Sequence, residues 1–401
     1  MFGIRLLTKR LPLVFGLAIG FFGVLLLGVF SVPETPARVP VPARKKDKYD
    51  RAIDRGLEWL ALHQAQDGHW SLHAFNKDAR EKLLPEGKIF VCDCEAGVKI
   101  HNDIAATAFG VLPFLAAGHT RKSSDKKPDY SKIVDAGLKY LLAKQNKDGS
   151  FDKDMYANGL ASRVLCDAYG LTKDKTLKGP AQKALDFIAD AQDPTGGGWR
   201  YEPRQPGDLS VTGWQYIALK RGQQAGLNAP KKTLELAEKF LDSCESEKKG
   251  GYSYTPGGRE TMSMTAVGLL CRQYSLVNPR NPSLVHGVVR IKNHYPDKLD
   301  NIYYLYYASQ VMFHMRGEIW RYWDTGVDSD DRKVHRGIGD CLLAGQDKGD
   351  KPKHQHQSGS WGGSPGGRIM ATSLSLLILE QRNHKSFYRS DNPKGEKLIP
   401  R

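Results

Sequence analysis

A pattern that returns along this chain constrains it most. The stretch Gly56-Leu57-Glu58-Trp59-Leu60, then Gln64, then Asp67-Gly68-His69-Trp70, recurs in altered copies, and an internal repeat fixes an architecture before it bears on function. Ile53, Leu57, Leu60 and Leu62 fit one helical face better than strict alternation, and Asp67-Gly68 supplies a stop. The copies read Gly137-Leu138-Lys139-Tyr140-Leu141 with Gln145 and Gly149-Ser150-Phe151, then Ala184-Leu185-Asp186-Phe187-Ile188 with Gln192 and Gly197-Gly198-Trp199. A fourth has Ala237-Glu238-Lys239-Phe240-Leu241 with Glu245 and Gly250-Gly251-Tyr252. The last has Ile338, Leu342, Gln346 and, after a His-rich insertion, Gly359-Ser360-Trp361.

Indexed on Gln64, Gln145, Gln192, Glu245 and Gln346, the copies are 81, 47, 53 and 101 residues apart. The last step is two periods long, so a degraded copy is expected near residue 295, where Gly287-Val288-Val289-Arg290-Ile291 precedes Tyr295-Pro296. The long first step holds an insertion from Ser71 to about His101 that contains Cys92-Asp93-Cys94. Between the turns lie second helical segments rich in small and apolar residues, at 104–117, 160–169, 211–225, 261–274, 302–315 and 369–380. Six hairpins follow, and because a single hairpin cannot bury its own apolar face, stacked neighbours must.

Residues 11–32 form an apolar run without charge, long enough to cross the ~30 Å core of a bilayer as a helix. It exceeds the ~7–15 residues of a secretory core and lacks a small-x-small site, so an uncleaved anchor is expected. Arg5, Lys9 and Arg10 before the run favour a cytoplasmic N-terminus and an exported domain, against the opposing pull of Arg38, Arg44, Lys45 and Lys46. The organisation expected is an anchor at 1–32, a proline-rich and basic stalk at 33–48, six repeats at 49–385 and a polar tail at 386–401. The formal net charge is +15, yet the lysines are scattered and no basic stripe is interleaved with aromatics, so a solvated surface near anionic lipid is expected rather than a nucleic-acid face.

The turns Gln64/Gly68/Trp70 and Gln192/Gly197/Trp199 resemble the repeats of terpenoid cyclases and protein prenyltransferase β-subunits, a likeness that extends from about Tyr49 to Glu380. The resemblance implies an all-α fold, an α6/α6 toroid whose inner helices ring a central cavity, here behind one N-terminal transmembrane helix. It also implies that the Gln and aromatic of each turn fasten neighbouring helices together.

The cyclases of that family that begin by protonation use an Asp-x-Asp-Asp acid. Asp328-Ser329-Asp330-Asp331 has these letters, but Arg332-Lys333 follow, and the segment reads as the solvated N-terminus of an outer helix. Inner-helix entrances are the better candidates. Gly207 through Gln215 resembles the frame of the cyclase signature with both final acids replaced by Ser210 and Val211, leaving Asp208 as a candidate acid or as a helix N-cap, with Asp103 a second candidate. Thr212, Trp214 and Gln215, with Tyr303, Tyr304 and Tyr307, are candidate cavity residues, the tyrosines as π faces for a carbocation or as helix packing. Zinc-dependent prenyl transfer is not expected, since the family's His is replaced in the run Asp300 to Tyr307 and Cys271 sits in an apolar helix. Cys166 reads likewise as a buried thiol.

Cys92, Cys94 and His101 are candidate metal ligands, with a disulfide or free thiols as alternatives. His119, His354 and His356 read as solvated loop residues. No cofactor is expected: neither a phosphate loop nor a thioester sequence is present. Two readings stand, a membrane-anchored toroid that acts on or binds an isoprenoid or other apolar ligand, and a non-catalytic binding scaffold at the cell envelope whose protein partner the sequence does not name.

Overall fold

The computed structural model describes residues 46–383 apart from 79–81, 84–88, 91, 123–125, 276, 296–298 and 351–354. The expected anchor and the polar tail lie outside the described residues. Among the described residues, no helix is long and apolar enough to cross a membrane.

Two concentric sets of helices make up the domain. The outer set comprises α1 (Lys48–Leu62), α4 (Ser131–Lys144), α6 (Lys175–Asp190), α8 (Lys231–Cys244), α10 (Pro282–Asn293) and α13 (Ile338–Gly345). The inner set comprises α3 (Asp103–Ala116), α5 (Met155–Thr172), α7 (Leu209–Ala225), α9 (Met262–Tyr274), α11 (Ile302–Met315) and α14 (Gly367–Glu380). Each inner helix packs on the next, and α14 packs on α3, so the ring closes. Two short helices sit in connecting segments, α2 (Phe75–Asp78) in the insertion from Ser71 to about His101 and α12 (Gly317–Thr325) between α11 and α13. A two-residue antiparallel pair, β1 (Lys82–Leu83) with β2 (Ile89–Phe90), joins α2 in the first of them.

Burial separates the two sets. In α1 the buried side chains are confined to a stripe that includes Ala52, Ile53, Leu57 and Leu60, as a helix with one wet face requires. In α3 every residue from Ile104 to Leu115 is buried, because an inner helix faces the outer ring on one side and the lumen on the other. Side-chain caps at Asp47, Asn102, Asp154, Asp174, Thr261, Asn281 and Asn301 satisfy the first amides of their helices.

The repeated residues form one clasp, built at the turns that carry Gln64, Gln145, Gln192 and Gln346. Gln64 Nε2 donates to Gly68 O within its own turn (2.9 Å) and to Ile133 O in α4 (2.9 Å). Gln145 reaches Gly149 O and Pro180 O in α6, and Gln192 reaches Gly197 O and Thr233 O in α8. The turn glycines carry positive φ, +96° at Gly68 and +79° at Gly197, and a Cβ there would collide with the next outer helix at Ala136 O or Leu236 O. The Trp rings then fold back: Trp70, Trp199 and Trp361 donate Nε1–H to Leu60 O, Ile188 O and Leu342 O, each at 2.8 Å.

The degraded copy near residue 295 is the hairpin of α10 and α11, which lacks the clasp. Tyr295 instead stacks on His335 (3.6 Å between centroids) and donates to Arg336 O. Asp328 to Asp331 do not begin a helix, as the sequence suggested. They form an exposed loop pinched by the Val327–Lys333 pairing, in which Asp328 Oδ1 accepts from Asp330 N (3.0 Å) and Arg332 N (2.9 Å). The Asp side chain found a local turn before a helix could start.

Candidate functional site

At the N-terminal ends of the inner helices, Asp208 caps α7 and is fully buried. Its Oδ1 accepts from Val211 N (3.0 Å) and from the Ser210 hydroxyl (2.7 Å). Since the Ser210 proton is used there, Tyr156 Oη donates to Ser210 Oγ at 2.6 Å, giving a chain from Tyr156 through Ser210 to Asp208. The second carboxylate oxygen, Oδ2, accepts no hydrogen bond and lies 3.8 Å from Arg200 Nε. Tyr201 and Tyr254 share a 2.6 Å hydroxyl contact at the same mouth. The hydroxyls of Tyr303 and Tyr307 are buried, and burial raises both phenols well above their ordinary range.

Deeper in the ring, side chains from helices that are not neighbours meet. Trp214 of α7 stacks on Tyr306 of α11 (5.8 Å) and meets Phe109 of α3 edge-on (6.2 Å). Arg163 of α5 donates to the Tyr306 hydroxyl of α11, which stands opposite in the ring. Its guanidinium lies 5.9 Å from both the Trp214 and the Tyr306 ring centres. Asp167 pairs with Arg163 at 3.5 Å and also binds Arg221, so the buried charge is shared among three groups.

The other sequence candidates hold structural places. Thr212 Oγ1 accepts from Trp199 N (2.9 Å) and therefore belongs to the turn clasp. Gln215 Nε2 donates to Met155 O (2.6 Å), tying α7 to α5. Tyr304 points outward and donates to His294 O (3.1 Å) at the end of α10. Asp103 lies 4.0 Å from His69 Nε2 at the outer rim, with its charge felt by Tyr140 on α4. For Thr212, Tyr304 and Asp103 the helical register turned a residue at an inner-helix entrance toward the outer ring, and for Gln215 toward the neighbouring inner helix. Tyr156, Arg163 and Tyr306 were missed, although a charged residue inside the apolar stretch of α5 is a legible signal.

A second cluster joins the first hairpin to the last. His63, Cys92, Cys94 and His356 bring their ligand atoms within 4.8 Å of one another. Both Cys92 Sγ and Cys94 Sγ lie 3.5 Å from His63 Nε2, and Cys94 Sγ is 4.0 Å from His356 Nδ1. Both candidate cysteines lie in this cluster, but His101 is not with them; that exposed ring packs at a tilt against His73, 3.9 Å between centroids. His356 is 6% exposed rather than solvated. Burial lowers His63 below its ordinary range and keeps it neutral, and the thiol of Cys94 favours loss of the Cys92 proton. His119 is also buried, packed edge-on against Tyr130 at 5.1 Å. Beside the cluster, Arg368 of α14 bonds Glu95 (3.0 Å) and Gln357 (3.1 Å) at a polar groove of about 480 Å³.

A closed α6/α6 ring fastened by Gln and Gly-x-Trp turns defines a terpene-cyclase-like toroid. Sequence comparison agrees: residues 37–216 match the model of the squalene-hopene cyclase C-terminal domain. A squalene–hopene cyclase from Bradyrhizobium diazoefficiens is 27% identical over 220 residues, which are 50% of this chain and 30% of that enzyme. The match thus spans under a third of that relative's length. Among solved structures, a variant of the type II terpene cyclase MstE from Scytonema, in complex with its product merosterolic acid A, superposes with a TM-score of 0.52 at 11% identity, over 83% of this chain and 96% of that one. The GH76A α-1,6-mannanase of Salegentibacter sp. HEL1_6 gives 0.55 at 10% identity, over 84% and 99%. At these identities the structural likeness speaks to fold alone, which cyclases and glycoside hydrolases share.

Proposed function

We propose that this chain is a non-catalytic toroid that binds an isoprenoid or other apolar chain at the ring mouth, held at a membrane by the apolar run at 11–32. One observation carries the first part. A cyclase guides a carbocation over aromatic π faces, and here Arg163 lies against the faces of Trp214 and Tyr306. A fixed guanidinium among these rings repels a cationic intermediate. What the ring mouth offers is Tyr156, Tyr201 and Tyr254, with apolar bodies for contact and hydroxyls for one polar end. A Scytonema terpene cyclase of the same fold takes geranylgeranyl dihydroxybenzoate as its substrate, a molecule of the class proposed here.

A second reading, protonation-initiated cyclisation with Asp208 as the acid, is favoured by the Tyr156–Ser210–Asp208 chain and by an Oδ2 that accepts no hydrogen bond and lies 3.8 Å from Arg200 Nε. Incubating the full detergent-solubilised chain with squalene and polyprenyl diphosphates, followed by mass analysis of products and retained lipid, separates the two. Retained ligand without product supports the binding reading. Product that Asp208→Asn abolishes establishes the enzyme, and neither ligand nor product refutes both.

A further inference from the structure

We propose that His63, Cys92, Cys94 and His356 bind a zinc-class divalent ion that staples the seam where the ring closes. The inference rests on the cluster's own geometry and is independent of what the ring mouth binds. With Zn–S of about 2.3 Å and Zn–N of about 2.0–2.1 Å, a tetrahedral S–Zn–N angle places sulfur about 3.6 Å from nitrogen. Both Cys–His63 separations are 3.5 Å.

The surrounding contacts orient the ligands. His63 Nδ1 lies 2.7 Å from Trp59 O and so carries the proton, which presents the Nε2 lone pair to both sulfurs. The His63 ring is held in turn by stacking on Trp59 at 4.0 Å. On the other side, His356 N donates to Asp93 Oδ1 (3.2 Å), so the residue between the two cysteines positions the fourth ligand. His356 turns its Nδ1 toward Cys94 Sγ, 4.0 Å away. Two thiolates and two imidazoles suit zinc over calcium or magnesium, and four protein ligands describe a structural rather than an open catalytic site.

The chain path gives the ion its purpose. His63 ends α1, Cys92 and Cys94 lie in the insertion of the first hairpin, and His356 sits in the short 3-10 turn before the last Gly-Ser-Trp, 262 residues from Cys94. Metal binding here ties the first hairpin to the sixth, so the insertion that interrupts the repeat becomes the fastening of the ring. Each thiol that binds gives up its proton to solvent, and no redox step is involved.

The test uses the full chain, purified without chelator or a metal affinity column and loaded with Zn2+. About one zinc per chain is expected by elemental analysis, and Co2+ in its place should give the intense visible bands of a tetrahedral thiolate site. Stripping zinc should lower Tm by several degrees, and re-addition should restore it. Cys94→Ser and His356→Gln should each lower zinc affinity at least about tenfold, whereas His101→Ala should keep full occupancy. Retention of less than about a tenth of an equivalent, or a cobalt spectrum lacking thiolate charge transfer, overturns the proposal. So does a Cys94→Ser protein that binds zinc as the wild type does. If the variants do not fold, the wild-type cobalt spectrum and the reversal of Tm decide it.

Discussion

Gln346 of the sixth hairpin donates its side-chain amide to Ala52 O of the first, at 2.8 Å, and with the same nitrogen to Gly359 O at 2.8 Å. The bond repeats what Gln64, Gln145 and Gln192 do between successive hairpins, so the ring closes by the same contact that propagates it. Gln346→Ala removes the donor that ties α1 to this turn and leaves the buried Gly359 carbonyl without its partner, a loss of about 1–3 kcal/mol. Thermal melting should show a clearly lower Tm with the helical content unchanged; a melt that overlays the wild type would sink this account of closure.

The fourth turn breaks the rule, and the break is testable. Glu245 accepts from Gly250 N at 2.9 Å, but a carboxylate cannot donate to a carbonyl of α10. By the register of the other clasps, the waiting acceptor is Ser283 O. Glu245→Gln should therefore stabilise the chain by about 1 kcal/mol, the worth of a net hydrogen bond. An unchanged or lower Tm would mean that the Gly250 turn, which approaches Ser283 O differently, has moved out of reach.

How far the sequence could be read follows from the same contacts. The clasp is local, so the spacing of Gln, Gly and Trp revealed the hairpins, the hidden copy and the six inner helices, five of them within two residues at each end and α5 only in its middle. The site was less legible because a helix entrance carries side chains in all directions, and letters do not state rotation. Thr212 and Tyr304 turned to the outer ring, while Tyr306, their neighbour in type, turned to the centre. The cysteine–histidine cluster was half legible: Cys92 and Cys94 are separated by one residue, but His63 and His356 reach them only through the fold.

Thr212 distinguishes a clasp residue from a cavity residue. Its hydroxyl accepts from Trp199 N, as Thr107, Thr265 and Thr372 do for Trp70, Tyr252 and Trp361. Thr212→Val keeps the shape and orphans a buried amide, so a loss of about 1–3 kcal/mol is expected, with Thr212→Ser close to the wild type. Calorimetry of the three proteins checks this order. Equal stability of the valine and serine variants would show that the hydroxyl has no part in the turn.

His314 gives the fold a pH dependence whose sign can be worked out. Burial, with the charge of Arg316 adding to it, lowers its pKa to about 4 from an ordinary 6.5. The folded protein therefore holds a neutral ring, its Nδ1 3.0 Å from Gln273 Oε1, while the unfolded chain takes up a proton near pH 6.5. A depressed histidine favours the folded state above its unfolded pKa, and that advantage is lost as pH falls from about 6.5 through about 4. His314→Gln keeps a side-chain donor for Gln273 and cannot titrate. Measured at pH 7.5 and again at pH 4.5, Tm should fall further for the wild type than for His314→Gln. Asp324, which burial raises to about 6 against the pull of Arg382, titrates in the same window with the opposite sign, and because it is common to both proteins it cancels in the difference. Parallel declines in the two proteins would refute the assignment to His314.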